Sequence, residues 1–287
     1  MKKFALLLIP FLAFASCKKD ADTTIDNRSD SGDDPEAVDG VLTGRFSVGP
    51  NTQVLFSKGN LQYLASTAVW RFAEHQYDMV GEVNAGVAPD YTEWIDLFGF
   101  GTSGYDGTVP YASQDDYSEY YGGMEDIAGT EFDWGVHNAI SNGGNKAGLW
   151  RTLTKPEWGY LLEERTGASQ KVSLATVCGV KGAVLLPDDW KLPESCSFTA
   201  TTQNFAINNY SESQWKQMES AGAVFLPNAG ARLYGRLEFI GEGGFYWSSS
   251  YYNTTYASFL GVQEGAVKLY DNFRIMGLSV RLVKNVE

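Results

Sequence analysis

His75 and His137 are the only imidazoles in this chain of 287 residues. Neither stands in a nucleophile motif. With no Gly-x-Ser-x-Gly elbow and no cysteine–histidine signature, a nucleophilic triad has nothing to build on. His137 lies in a loop rich in Asp, Asn and Gly, where a hydrogen-bonded structural role is expected. A zinc site would need more His or Cys at ligand spacing. The stretch Gly241-Glu242-Gly243-Gly244 precedes a strand instead of following one, so it reads as a turn and not as a phosphate cradle. Oxygen donors and aromatic rings remain.

Carboxylates are numerous enough that a glycosidase pair is not excluded by inspection, although abundance alone does not argue for one. Calcium is the better-posed question, because hard cations take Asp, Asn and Glu oxygens in ordered loops. Asp133, Asn138, Asn142 and Asn145 form one group of candidate donors, and Asp188-Asp189 beside Pro187 forms another. No EF-hand spacing occurs. Calcium is therefore a possible cofactor, with loop-stabilising hydrogen bonds the competing use of the same oxygens; no other cofactor is expected. The aromatics divide by pattern. Trp70, Trp158, Trp215 and Trp247 sit in periodic elements and are expected in the core. Tyr251, Tyr252, Asn253, Tyr256, Tyr270 and Phe273 lie in or near a C-terminal hairpin. There, exposed rings could stack on sugar or anchor a protein epitope. Trp247 follows Phe245 by two residues and shares its face, so Trp247 and Ser248–Ser250 are expected to be scaffold, with ligand contacts at the Tyr251–Tyr256 tip.

The elements that must position these groups are mostly short strands. Thirty-one glycines, with 16 tyrosines and 16 phenylalanines, suit many short strands joined by long ordered loops. Arg45–Val48 and Gln53–Ser57 read as a strand pair turning at Gly49-Pro50-Asn51. Leu278, Val280 and Leu282 alternate with Ser279, Arg281 and Val283, the pattern of a strand buried mainly on one face. Two helix starts are explicit. Thr154-Lys155-Pro156-Glu157 is a capping box followed by Trp158, Leu161 and Leu162, with Gly167 placed as a left-handed cap. Ser211-Glu212-Ser213-Gln214 is a second box, ahead of Trp215, Met218 and a stop at Gly222. With no internal repeat or linker, residues 41–287 read as one domain.

The termini and charge set the compartment. Met1-Lys2-Lys3 and the apolar run Phe4–Phe14 form a secretory signal too short to span a bilayer as a mature helix. Residues 17–40 are polar, acidic and nearly free of large apolar side chains, so they read as a disordered tether. The chain carries 35 acidic and 22 basic residues, net −13. That sign argues against nucleic acid or an anionic membrane surface as partner. Cys178 and Cys196 remain as an even pair once Cys17 is set aside. They bracket a strand and a turn, so a disulfide and two free thiols both stand as readings in an exported protein.

Several of these segments carry a resemblance. The stretch Gly243-Gly-Phe-Tyr-Trp-Ser-Ser-Ser with the Leu278–Val283 run, Asp133-Trp-Gly-Val-His-Asn138 and Asn142-Gly-Gly-Asn145 resemble the FISUMP major-paralogous-domain family. Leu149-Trp-Arg-Thr-Leu-Thr-Lys-Pro-Glu-Trp158 is similar to a segment of formylglycine-generating-enzyme-like domains. The resemblance covers about residues 44–284. It implies an α+β, C-type-lectin-like domain: twisted antiparallel sheets, two main helices and long loops. No motif around Cys178 or Cys196 matches the cysteine chemistry of the formylglycine-generating relatives, and the Glu-Pro-Asn triplet of sugar-binding C-type lectins is absent. Ala15-Ser16-Cys17 resembles a bacterial lipobox, which implies cleavage after residue 16, lipid on Cys17 and a membrane anchor. Acidic residues soon after that cysteine resemble the signal for outer-membrane surface lipoproteins of Bacteroidetes. The expected function is a lipid-anchored binding module for glycan or a surface protein, of adhesion type and without catalysis. The alternatives are a structural or fimbrial-tip subunit and, behind it, an enzyme on the formylglycine-generating-like scaffold.

Overall fold

Short runs of alternating and fully apolar residues, broken by glycine turns, give a chain of many brief strands. The computed structural model describes residues 40–85, 88–110, 125–233 and 235–286. The signal, the lipobox with Cys17, the tether up to residue 39 and most of the acidic, tyrosine-rich loop lie outside the described residues. In order, the elements are β1 (Phe46–Gly49), β2 (Thr52–Phe56), β3 (Leu61–Leu64), β4 (Val69–Phe72), β5 (Trp94–Ile95), α1 (Trp134–His137), β6 (Arg151–Thr152) and α2 (Lys155–Gly159). Then follow β7 (Val172–Val177), β8 (Val180–Leu185), β9 (Asn209–Tyr210), α3 (Glu212–Ser220), β10 (Val224–Pro227) and β11 (Ala231–Leu233). The chain closes with β12 (Arg236–Glu238), β13 (Gly244–Tyr251), β14 (Tyr256–Gln263), β15 (Ala266–Phe273) and β16 (Leu282–Asn285).

The sheets run β1-β2-β16-β6, β10-β8-β7-β9, β13-β14-β15, β4-β3-β5 and the pair β11-β12. Pairing is antiparallel except between β7 and β9. With three α-helices among the described residues, the fold is α+β. All the described residues fall in one compact unit.

The β13-β14-β15 sheet is central because both of its faces are buried. Phe245, Trp247 and Phe259 pack into a cluster with Trp70, Phe98, Trp134 and Trp150. The alternate residues Tyr246, Leu260 and Val262 pack into a second cluster with Phe56, Trp158 and Leu174. This is the period of two applied to a strand with core on both sides. A third cluster joins Trp215 and Met218 of α3 to Tyr210 and Phe225. The four tryptophans expected inside are all buried.

The last segment departs from expectation. Leu278, Val280 and Leu282 do share one cluster, yet Ser279, Arg281 and Val283 are buried as well. The guanidinium of Arg281 finds internal partners, donating from Nη1 to Asn60 Oδ1 at 3.3 Å and from Nη2 to Gln76 Oε1 at 2.7 Å, while its Nε and Ser279 Oγ are buried without a hydrogen bond among the described residues. A polar residue in the alternation marked a buried network here, not a solvent face.

Both capping boxes form. Thr154 Oγ1 accepts from the Glu157 amide, and Glu157 Oε2 accepts from the Thr154 amide at 2.8 Å. Helix α2 continues through Tyr160–Glu164 as a wide π-type turn. Gly167, with φ of 70°, does not cap it; Gly167 instead opens the short turn Ala168–Gln170. Ser211 and Gln214 close the second box on α3. Gly222 stops that helix with φ of 93°, and a Cβ there would lie 2.7 Å from Gly44 Cα. At the other boundary, Gly40 belongs to the fold and not to the tether. It is buried, its φ is 74°, and its carbonyl accepts from the Lys58 amide at 2.8 Å.

Cys178 and Cys196 are not bonded to each other. Cys178 occupies the β7–β8 turn with φ of 50°, and its amide donates to the Tyr210 carbonyl. Burial, offset by a hydrogen bond to Tyr77 and helped by Glu212 and Asp78, raises its thiol above the ordinary range. Cys196 sits in the loop before β9, its Sγ 3.5 Å from the Gln214 carbonyl of α3. The thiols have separate partners on separate elements, and neither is buried: Cys178 is exposed and Cys196 half-buried.

Candidate functional site

The hairpin β13–β14 widens before its tip. Trp247 pairs with Phe259 and Tyr251 with Ala257, so four residues of β13 advance against two of β14. Ser248–Ser250 stand against the single Ser258 of β14, a bulge with two surplus residues. Freed from the ladder, its serines bind elsewhere. The Ser249 amide donates to the Leu153 carbonyl at 2.8 Å, and the Lys155 amide, one of the unsatisfied donors at the start of α2, donates to Ser250 Oγ at 3.0 Å. The bulge thus fixes the start of α2 beside the tip of the hairpin.

That placement creates a small polar and aromatic site. Tyr252 is 57% exposed. Lys155 Nζ stands 5.6 Å from the centre of its ring and donates to both Asp271 oxygens, at 2.8 and 2.9 Å. Asp271 opposes Ser258 in the β14–β15 register, and Ser258 Oγ donates to Asp271 Oδ1. Two residues along, on the same side of those strands, Tyr256 opposes Phe273 with ring centroids 5.0 Å apart. The exposed Tyr252 ring thus stands beside the Lys155–Asp271 pair, and the half-buried Tyr256 borders that pair with Phe273 behind it, packed against the Trp247 cluster.

Not every expected contact joins this site. Tyr270 alternates to the opposite face, stacks on Phe259 at 5.8 Å and lies under Lys268. The Tyr251 ring stands 5.7 Å from the Arg274 guanidinium, and its amide donates to Asp126 Oδ1. Asn253 builds the turn, since its Oδ1 accepts from the Thr255 and Tyr256 amides at 2.8 and 2.9 Å. Lys155, Asp271 and Ser258 were missed by sequence reasoning. The capping box did place Lys155 at a helix start, but nothing in the linear order signals that Asp271 lies across from Ser258 and within reach of it.

Several of the calcium candidates already bind the protein's own groups. Asp133 is the N-cap of α1: Oδ1 accepts from the Gly135 amide and from Thr152 Oγ1, and Oδ2 accepts from the Thr152 amide at 2.9 Å. Burial pushes its pKa up to about 6, with the Thr152 and Gly135 donors pulling the other way. Asn138 donates through Nδ2 to the Ser103 and Trp134 carbonyls. Asn142 brackets Phe72, accepting from its amide and donating to its carbonyl. Burial alone would raise Asp188, but Ser47, Gln53 and the Arg165 guanidinium hold it below the ordinary carboxylate range. Asp189 is exposed. Among the described residues no group of three His, Cys, Asp or Glu side chains is placed to hold a metal ion. The oxygens of Asp133, Asn142 and Asp188 serve loop-stabilising hydrogen bonds.

Among the described residues no helix is long and apolar enough to cross a membrane. No protein-family model matches the chain, and no curated protein or solved structure matches it.

Proposed function

We propose that this chain is a lipid-anchored, cell-surface binding module of the FISUMP kind, with a C-type-lectin-like layout, that recognises a glycan or a surface protein without catalysis. The observation that carries the reading is the hairpin tip, where an exposed Tyr252 ring stands beside the Lys155–Asp271 pair. A large apolar body next to directional polar groups is the surface chemistry of recognition sites. The strand that leads into it, β13, is buried and bulged, which fixes the start of α2 beside the tip and lowers the entropy lost on binding. The anchor half of the proposal is carried by Ala15-Ser16-Cys17 and the acidic segment after it. A spacer of residues 18–39, at about 5–6 Å times the square root of its length, would reach on the order of 25 Å from the membrane surface.

Two experiments test the halves separately. A glycan array and a cell-surface pull-down with wild type and Tyr252→Ala should reveal a ligand lost in the variant; polysaccharide hydrolysis with no ligand captured would reject the binding reading. Cys17→Ala should release or misprocess the protein, and protease added to intact cells should cut wild type between residues 18 and 40. Protection until the outer membrane is broken would reject surface exposure.

A further inference from the structure

We infer, resting on the binding reading above, that the tip takes a neutral, hydroxyl-rich oligosaccharide, with one sugar ring on Tyr252 and two adjacent hydroxyls bridging Asp271 and Lys155. The argument begins with what the ion pair leaves unused. Two ammonium hydrogens of Lys155 point at the Asp271 oxygens, and an ammonium has three. Asp271 Oδ1 also accepts from Ser258 Oγ, whereas among the described residues Oδ2 takes only Lys155. The partly exposed pair (38% and 26%) therefore presents one free donor and one free acceptor side by side. A vicinal diol offers the complement, since each hydroxyl both donates and accepts.

Charge selects among sugars. Lys155 and Asp271 neutralise each other, so an acidic sugar meets no unpaired cation, and it would bring its carboxylate toward Asp271 on a chain of net charge −13. The ring supplies the apolar half: Tyr252 lies 5.6 Å from Nζ, close enough for one pyranose to touch both. Tyr256, half-buried and opposite Phe273 on the same side of the strands as Asp271, offers a second ring to a longer chain, which favours an oligomer over a monosaccharide. The site is also pre-formed. Ser258 and the β14–β15 register fix Asp271, and Ser250 holds the Lys155 backbone.

The test is calorimetry on the full chain in detergent with cellotetraose, xylotetraose, mannotetraose, chitotetraose and trigalacturonate, comparing wild type with Tyr252→Ala, Asp271→Asn and Lys155→Met. At least one neutral tetraose should bind, and trigalacturonate should bind at least about tenfold more weakly. Tyr252→Ala and Asp271→Asn should each weaken the neutral ligand about tenfold or more, with melting temperatures within a few degrees of wild type. Asp271→Asn leaves Lys155 unpaired, so it should also narrow the gap between neutral and acidic sugars. Preferential binding of trigalacturonate by wild type, or an Asp271→Asn variant with full affinity and unchanged selectivity, overturns the inference. If no sugar binds but a surface protein is captured and lost on Tyr252→Ala, the sugar class falls and the tip stands. Neutral-sugar binding that survives Tyr252→Ala intact removes the tip itself.

Discussion

Trp247–Ser250 and Tyr251–Tyr256 are adjacent on the chain and alike in composition, each mixing aromatic rings with hydroxyls, yet they meet opposite fates. In the first, the Trp247 indole is wholly buried between Phe100 and Phe259, its Nε1–H donates to the Phe98 carbonyl at 2.7 Å, and all three serines are buried with backbone or side-chain partners. In the second, Asn253 and the amides of Tyr252, Thr255 and Tyr256 make the local turn, the Tyr251 amide donates to Asp126, and Tyr252 faces solvent. The difference lies in what crosses over the strand. Residues 98–100 and 152–155 lie against the first region, whereas the second meets Asp126 and Arg274 at Tyr251, Phe273 at Tyr256 and Lys155 at Tyr252, and the Tyr252 ring stays open to solvent. Residue type does not separate scaffold from contact surface; the elements packed across them do.

The largest expected effect breaks the first region. Trp247→Ala removes a fully enclosed indole and one of the two donors to the Phe98 carbonyl, the Leu278 amide being the other, and should cost about 3–5 kcal/mol. Chemical denaturation would show this as a large drop in midpoint at unchanged slope. A loss below about 1 kcal/mol would mean that the central sheet does not depend on this ring.

Buried and exposed carboxylates sharpen the same contrast. Desolvation pushes Asp96 and Asp133 up to about 6, even though Asn84 donates to Asp96 at 2.6 Å and Thr152 to Asp133. A carboxyl raised in the folded state favours folding below its unfolded pKa, near 3.9, and that contribution is lost as pH rises through about 6. Glu157 and Asp188 work the other way, because burial is outweighed by Arg151 and Thr154 in one case and by Ser47, Gln53 and Arg165 in the other. Their contribution is lost only as pH falls through the acid range below about 4. Stability should therefore peak near pH 4–5 and decline toward 7, by up to about 3 kcal/mol for each raised carboxyl. Urea midpoints across that range should show the decline, and Asp96→Asn should flatten it. A curve rising from pH 5 to 7 contradicts this account.

How much of this contrast could be read from the linear chain depends on the range of the interaction. Capping boxes at Thr154 and Ser211, the Gly49–Asn51 turn and the Phe245–Trp247 face are local, and each is present as expected. Burial of Arg281 was not legible, because its partners Asn60 and Gln76 are over 200 residues away in sequence. Asp133 resembled a metal donor because an N-cap and a cation ligand call for the same side-chain oxygen; only the Thr152 donors opposite decide between them. The Lys155–Asp271 pair spans 116 residues and depends on a serine bulge that no periodicity marks.

Removing the cap of α2 should have an intermediate effect. Thr154→Ala frees the Glu157 amide and loosens the start of the helix, costing about 1 kcal/mol. It should also weaken ligand binding at the tip, because Lys155 is the first residue of that helix. Thr154→Ser, which restores the acceptor, should recover both in the melting and binding assays. Recovery of stability without recovery of binding would detach the cap from the site.

The smallest effect on stability belongs to the tip, and there a near-zero result is the informative one. Tyr252→Ala removes a ring that is mostly in water, so the melting midpoint should move by no more than about 0.5 kcal/mol. Lys155→Met breaks an ion pair whose members both touch solvent, a class worth about 0–1 kcal/mol. If either variant destabilised the fold as Trp247→Ala does, the tip would be a continuation of the scaffold, and a role in recognition would lose its physical basis. If both leave the midpoint in place while ligand capture falls, then the bulge at Ser248–Ser250 divides a segment built for stability from one left free to bind.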